Sequence, residues 1–150
     1  MGEATSQSDL RLQISRTFAA SRERTFRAWT EREALLEWHA PADVKVGLCE
    51  VDLRPGGRWR VHMQAPDGAE YRVSGVYRVI DPPKRLVFTW RWDTDPENEE
   101  TLVTVEFRDR AGETEVVLTH EGFPSEESRS RHEQGWTAQL PNLATYLTRA

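Results

Sequence analysis

The sequence predicts an α+β domain in which a curved antiparallel sheet is closed by one long C-terminal helix. Three observations carry this. Between Val44 and Phe123 apolar residues recur at every second position, the period of a half-buried strand. Short turn clusters punctuate that stretch, so successive strands pair antiparallel as a meander. Beyond Ser125 the period changes, and Trp136, Leu140, Leu143 and Leu147 form one stripe of a helix. A single sheet must bury one face against something apolar, and this helix is the large cover available. The sheet must therefore bend around it, leaving a space between the two.

The elements follow in order. Residues 1–9 are polar, lack a signal-peptide core and read as a frayed, disordered tail before a single domain over 10–150. They match the bare myristoylation pattern, which is short and frequent by chance. Leu10 to Phe18 alternates as a strand. Ser21 is a fair N-cap for a short helix from Arg22 to Thr30, with Phe26 and Trp29 on one face. Thr30 and Glu33 then form a capping box for a second short helix through Leu35, Leu36 and Trp38, which Pro41 ends. Strands are expected over Val44–Leu53, Arg58–Gln64 and Glu70–Ile80. They are separated by the Arg54-Pro55-Gly56-Gly57 and Pro66-Asp67-Gly68 turns. Asp81-Pro82-Pro83 stops the third. Leu86, Phe88, Trp90 and Trp92 share a face of the next strand, and Val103, Val105 and Phe107 of the one after. Ala111-Gly112 turns the chain into a last strand with Val116, Leu118 and His120 on one face. Pro141 inside the final helix removes a hydrogen bond to Thr137 and predicts a kink or break.

One register is legible. If Val51 faces Trp59 and Cys49 faces Val61, then Glu50 faces Arg60 and Asp52 faces Arg58. Apolar pairs and opposite charges align together, and a slip of one residue would lose both.

Composition narrows the function. Twenty basic residues against 25 acidic ones give a net charge of −5, which lacks the basic footprint of a nucleic-acid partner. No apolar run is long enough to insert into a membrane. The single cysteine, Cys49, makes neither an internal disulfide nor a cysteine-rich metal site, and a cytoplasmic setting is expected. Cys49 reads as a small core residue rather than a nucleophile. His39, His62, His120 and His132 are scattered without metal-ligand spacing. Asp93 to Glu100 is acidic but has Asn98 and Thr104 where a calcium loop needs Gly and Glu, so it reads as a solvated hairpin. No phosphate loop, nucleophile elbow or cofactor motif is present. His120, on the inward face, is either a hydrogen-bonded core histidine or a polar group inside a pocket. Trp29 and Trp38 read as scaffold. Trp59, Trp90, Trp92 and Trp136 either fill the core or wall an apolar cavity.

Several segments together carry a family likeness. They are Trp38-His39-Ala40-Pro41, Glu50 to Trp59 with its double glycine, Gly75-Val76-Tyr77, Ile80 to Trp90, Leu118 to Phe123, and Gly135-Trp136. Their order and spacing resemble the domain family named for the activator of heat-shock-protein-90 ATPase (homologue, C-terminal-like), in the START-related helix-grip (SRPBCC) superfamily. The resemblance covers roughly Leu12 to Leu147. It implies a helix-grip fold, a curved seven-stranded antiparallel sheet around the C-terminal helix, with two short helices after strand one. It also implies binding of a lipid, polyketide or aromatic metabolite in the cavity, without a cofactor or metal. The expected lining is Trp59, Val61, Met63, Tyr77, Phe88, Trp90, Val105, Leu118, His120, Trp136 and Leu140. Chaperone contact is an alternative. Eukaryotic members make it with an additional N-terminal domain, for which these 150 residues leave no room. A cofactor-independent cyclase- or hydrolase-type enzyme would use His120 as acid or base, with Tyr77 and Glu106 nearest in the meander. The reading leans away from an enzyme and leaves a homodimer open.

Overall fold

The computed structural model describes residues 10–39, 44–93 and 100–148. Seven strands and three helices follow the expected order. They are β1 (Arg11–Phe18), α1 (Arg22–Thr30), α2 (Arg32–Trp38), β2 (Lys45–Val51), β3 (Arg58–Gln64), β4 (Glu70–Asp81), β5 (Arg85–Trp92), β6 (Thr101–Arg110), β7 (Glu113–Glu121) and α3 (Glu126–Thr148). The strands form one antiparallel sheet in the order β1-β7-β6-β5-β4-β3-β2. β1 returns beside the last strand and places Leu12 opposite His120 and Ile14 opposite Leu118. Register shifts at Val46/Leu48 and Tyr77/Val79 mark bulges, which bend strands and help the sheet wrap α3. The polar segment 1–9, Pro41, and positions 94–99 of the acidic hairpin lie outside the described residues.

The β2–β3 register is the expected one: Val51 opposes Trp59, Glu50 opposes Arg60 and Cys49 opposes Val61. Glu50 and Arg60 form an ion pair. The Asp52 amide donates to the Arg58 carbonyl at 2.9 Å, continuing the ladder. Its carboxylate, however, pairs with Arg54 at 2.9 Å rather than with Arg58, because Arg54 is two residues along the same turn. Gly75 sits between Trp59 and β5 for a steric reason. A Cβ there would lie 1.8 Å from the Thr89 carbonyl oxygen and 2.6 Å from Trp59 Nε1.

Three local expectations are corrected. Ser21 caps α1 as expected, accepting from the Arg24 amide at 3.2 Å. Thr30 does not cap α2. Its hydroxyl donates back to the Phe26 carbonyl at 3.1 Å, so Thr30 closes α1 and Glu31 becomes the α2 N-cap without a side-chain bond. Helix α3 does not break at Pro141. Leu140, Leu143 and Leu147 are buried on both sides of the proline, and that anchoring outweighs the roughly 3 kcal/mol that an interior proline costs. A glycine before Trp136 would let α3 approach the sheet closely, but a Cβ at Gly135 would meet nothing within 4 Å. It faces open space, while its neighbour Trp136 is buried. Among the described residues no helix is long and apolar enough to cross a membrane.

Candidate functional site

The interior between the sheet and α3 divides at two tryptophans. Trp90 comes from β5 and Trp136 from α3, and their ring centroids are 5.1 Å apart. On one side lies His120 of β7, 5.5 Å from the Trp90 ring and 6.2 Å from the Trp136 ring. On the other lies His39, the C-cap residue of α2, at 5.8 Å and 6.2 Å from the same two rings. Both histidines are buried.

At the His120 end both ring nitrogens are hydrogen-bonded, in a chain that joins α3 to β5. The Trp136 indole donates to His120 Nδ1 at 3.1 Å. Indole N–H can only donate, so Nδ1 accepts and the neutral ring carries its proton on Nε2. That N–H faces Thr101 Oγ1 at 2.7 Å, and the threonine hydroxyl donates onward to the Trp90 carbonyl at 3.1 Å. His132 of α3 stands beside His120 with ring centroids 5.0 Å apart. The same logic fixes it: Trp92 donates to His132 Nε2 at 2.9 Å, and Nδ1 faces the Ser128 carbonyl at 2.7 Å. Burial, with His132 as a second cause, holds His120 well below the usual imidazole range. Neither Tyr77 nor Glu106 is a hydrogen-bond partner of His120, and Glu106 pairs with Arg108 on the outer face. His62 does not meet His120 either; His132 does. Among the described residues no cluster of three or more metal-ligating side chains forms.

The His39 end is different. A cavity of about 20 Å³ is lined by Trp29, Leu35, His39, Trp59, Val61, Tyr77 and Phe88. Four of the expected lining residues, Trp59, Val61, Tyr77 and Phe88, come together there. Trp90, Val105, Leu118, His120, Trp136 and Leu140 pack as buried core beside it, and Met63 is buried on β3 outside this lining. Trp29, Leu35 and His39 are lining residues that the sequence reading missed. Trp29 reads from the sequence as scaffold, and His39 is singled out only by the Trp38-His39 step that closes α2. Burial lowers the His39 imidazole to about 4, so it is neutral near pH 7. Burial also raises the Tyr77 phenol and pushes Cys49 up to about 11, which leaves Cys49 an unreactive thiol.

Polar accounting separates the two ends further. Among the described residues, five buried side-chain nitrogens lack a hydrogen-bond partner: Trp29 Nε1, His39 Nδ1, Trp59 Nε1, Trp90 Nε1 and Gln139 Nε2. Three belong to side chains lining the cavity, and Trp90 stacks on two of those, with rings 5.5 Å from Trp59 and 5.8 Å from His39. By contrast the Trp38 indole, on the same helix as Leu35, donates to the Ala28 carbonyl at 2.8 Å.

Comparison with known proteins places this architecture. Residues 19–148 match the family model described as Activator of Hsp90 ATPase homolog 1-like protein. The human protein named Activator of 90 kDa heat shock protein ATPase homolog 1 is 35% identical over 128 residues, which is 84% of this chain and 33% of that protein. The chain thus spans about a third of the length of the curated relatives it matches. A crystal structure of the AHSA1 protein from Silicibacter pomeroyi superposes with a TM-score of 0.82 at 31% identity, covering 91% of this chain and 96% of that one. A Chromobacterium violaceum protein superposes at 0.87 with 23% identity, over 93% of this chain and 98% of that one, which supports the fold alone.

Proposed function

The chain belongs to the Activator of Hsp90 ATPase homolog 1-like protein family, and on that premise we propose that it is a small-molecule binding module of the helix-grip type. Its ligand is an apolar or aromatic molecule, such as a lipid, polyketide or aromatic metabolite, held between the sheet and the helices at the His39 end. The carrying observation is the aromatic-lined cavity bounded by α1, α2, β3, β4 and β5. Its volume, about 20 Å³, is that of one water rather than of the roughly 300–1,000 Å³ of an open ligand pocket. Uptake therefore requires the lining to open, and we place that opening at Leu35 of α2 and His39 at its C-cap, which face Trp59 and Val61 of β3 across the cavity. α2 is a seven-residue helix without a side-chain N-cap, which leaves its first turn uncapped.

The test is a thermal-shift and native-mass screen against lipids, polyketides and aromatic metabolites. A ligand at a hundred times its Kd stabilises the fold by about 2.7 kcal/mol, a shift of several degrees for a domain of this size. Absence of any shift and of any retained mass overturns the reading. Identity to the human protein named as a heat-shock-protein ATPase activator favours a second reading, contact with a chaperone of that class. Titration with the purified chaperone tests it, and no binding at micromolar concentration rules it out. An acid–base role for His120 draws no support from the geometry, since both ring nitrogens are occupied and the ring is fully buried.

A further inference from the structure

Two unpaired indole donors meet at the His39 end, with an imidazole nitrogen beside them. Leaving a buried donor without an acceptor costs about 1–3 kcal/mol, and native interiors carry few such groups. Here Trp29 and Trp59 each bring an indole N–H to the lining, and His39 Nδ1 adds a third nitrogen. Indole nitrogen has no accepting lone pair, so only an acceptor can satisfy the two tryptophans. The lining contains no Lys, Arg, Asp or Glu. A buried anion would find no countercharge there, and its desolvation would be uncompensated. The cavity of about 20 Å³ matches a single oxygen-sized group.

Resting on the binding function proposed above, we infer that this cavity selects a neutral, flat apolar molecule bearing an accepting oxygen. A ketone, ester or amide carbonyl fits, seated among the Trp29, His39 and Trp59 side chains. The oxygen occupies the existing space, and the apolar body lies against Leu35, Val61 and Phe88 as α2 moves. Carboxylates and phosphates are excluded by the missing countercharge, and plain hydrocarbons leave the indoles unpaired.

The experiment uses the full chain and three probes of similar shape: tetralone, which carries a ketone; tetralin, which lacks it; and naphthoate, which is anionic. Affinities come from titration, and the indole N–H resonances are followed in nitrogen–proton correlation spectra. Tetralone should bind about tenfold tighter than tetralin, the effect of one to two hydrogen bonds to donors already desolvated. The Trp29 and Trp59 indole signals should move downfield, while the Trp38 signal, already bonded to Ala28, stays in place. Trp59→Phe and Trp29→Phe should each narrow the ratio of tetralone to tetralin affinity, whatever each does to the affinities themselves. Equal affinities for tetralone and tetralin overturn the inference but leave the binding function standing. Tighter binding of naphthoate overturns the neutral selectivity. If no probe binds and the indole signals do not move, a lone water accounts for the space, and both the inference and the binding function fall.

Discussion

His39 and His120 lie on either side of the Trp90–Trp136 partition, equally buried and both held neutral, yet their surroundings differ in kind. His120 sits in a chain of bonds running from Trp136 through the imidazole and Thr101 to the Trp90 backbone. His39 has an unpartnered Nδ1 among unpartnered indoles. The difference teaches that aromatic richness alone does not mark a binding site. Polar satisfaction separates an interior that has finished folding from one with an open chemical demand.

The largest expected effect lies at the satisfied end. Trp136→Ala removes a buried ring from the partition and leaves His120 Nδ1 without its donor. It should cost roughly 3–5 kcal/mol in denaturant melts, a large share of a typical domain stability of about 5–15 kcal/mol. A cost near 1 kcal/mol, the ordinary mutational mean, would place Trp136 in a loosely packed region and erase the contrast.

Acid should strain both ends. Each histidine has a folded pKa below its unfolded value of about 6.5. As pH falls through that value the unfolded chain binds protons that the folded chain refuses, so stability present above it is lost. His39 contributes until about pH 4, and His120, also held below its ordinary value by burial, adds a loss of the same sign. His39 alone should remove about 2 kcal/mol between pH 7 and pH 5, above the carboxylate range, and His120 adds to it. His39→Phe should flatten this slope by the share that His39 carries. A pH-independent stability over that range would show that neither ring is held neutral.

Conservative exchanges sharpen the comparison. Trp136→Phe keeps an aromatic ring but orphans His120 Nδ1, and should cost about 1–3 kcal/mol. Trp59→Phe deletes a donor that has no partner, and its cost should be smaller by at least about 1 kcal/mol. Equal costs would mean that the polar atoms of the two ends do not differ energetically. The smallest effect is outside the interior. Gly135 lies on the open side of α3, so Gly135→Ala should stabilise by about 0.5–1 kcal/mol through helix propensity alone. Destabilisation there would mean that α3 packs against something on that face.

Much of the scaffold was legible because it rests on local periodicity. The bounds of β3, the Glu50–Arg60 pairing and the stripe Trp136-Leu140-Leu143-Leu147 follow from spacing along the chain. Expectations based on single residues were less secure. Thr30 had two partners within reach, and the back-bond to Phe26 won over the cap. Pro141 is tolerated because tertiary anchoring on both sides outweighs its local cost. The site was half legible. Trp59, Val61, Tyr77 and Phe88 lie on strand faces whose parity can be counted. His39 and Trp29 reach the cavity from α2 and α1, and their neighbours come from β3, β4 and β5, a juxtaposition that no short-range pattern encodes. The pairing of His120 with His132 escaped for the same reason, since it joins β7 to α3.

The central claim, that the His39 end is built to receive an acceptor from outside the chain, is tested most directly by a crystal structure of the protein purified from its own host. The account predicts density beyond the protein atoms in the cavity lined by Trp29, His39 and Trp59. That density should include an oxygen within hydrogen-bond distance, about 2.7–3.2 Å, of at least one of their nitrogens. Closed side-chain packing with these nitrogens bonded to protein carbonyls, and no density between them, would contradict it.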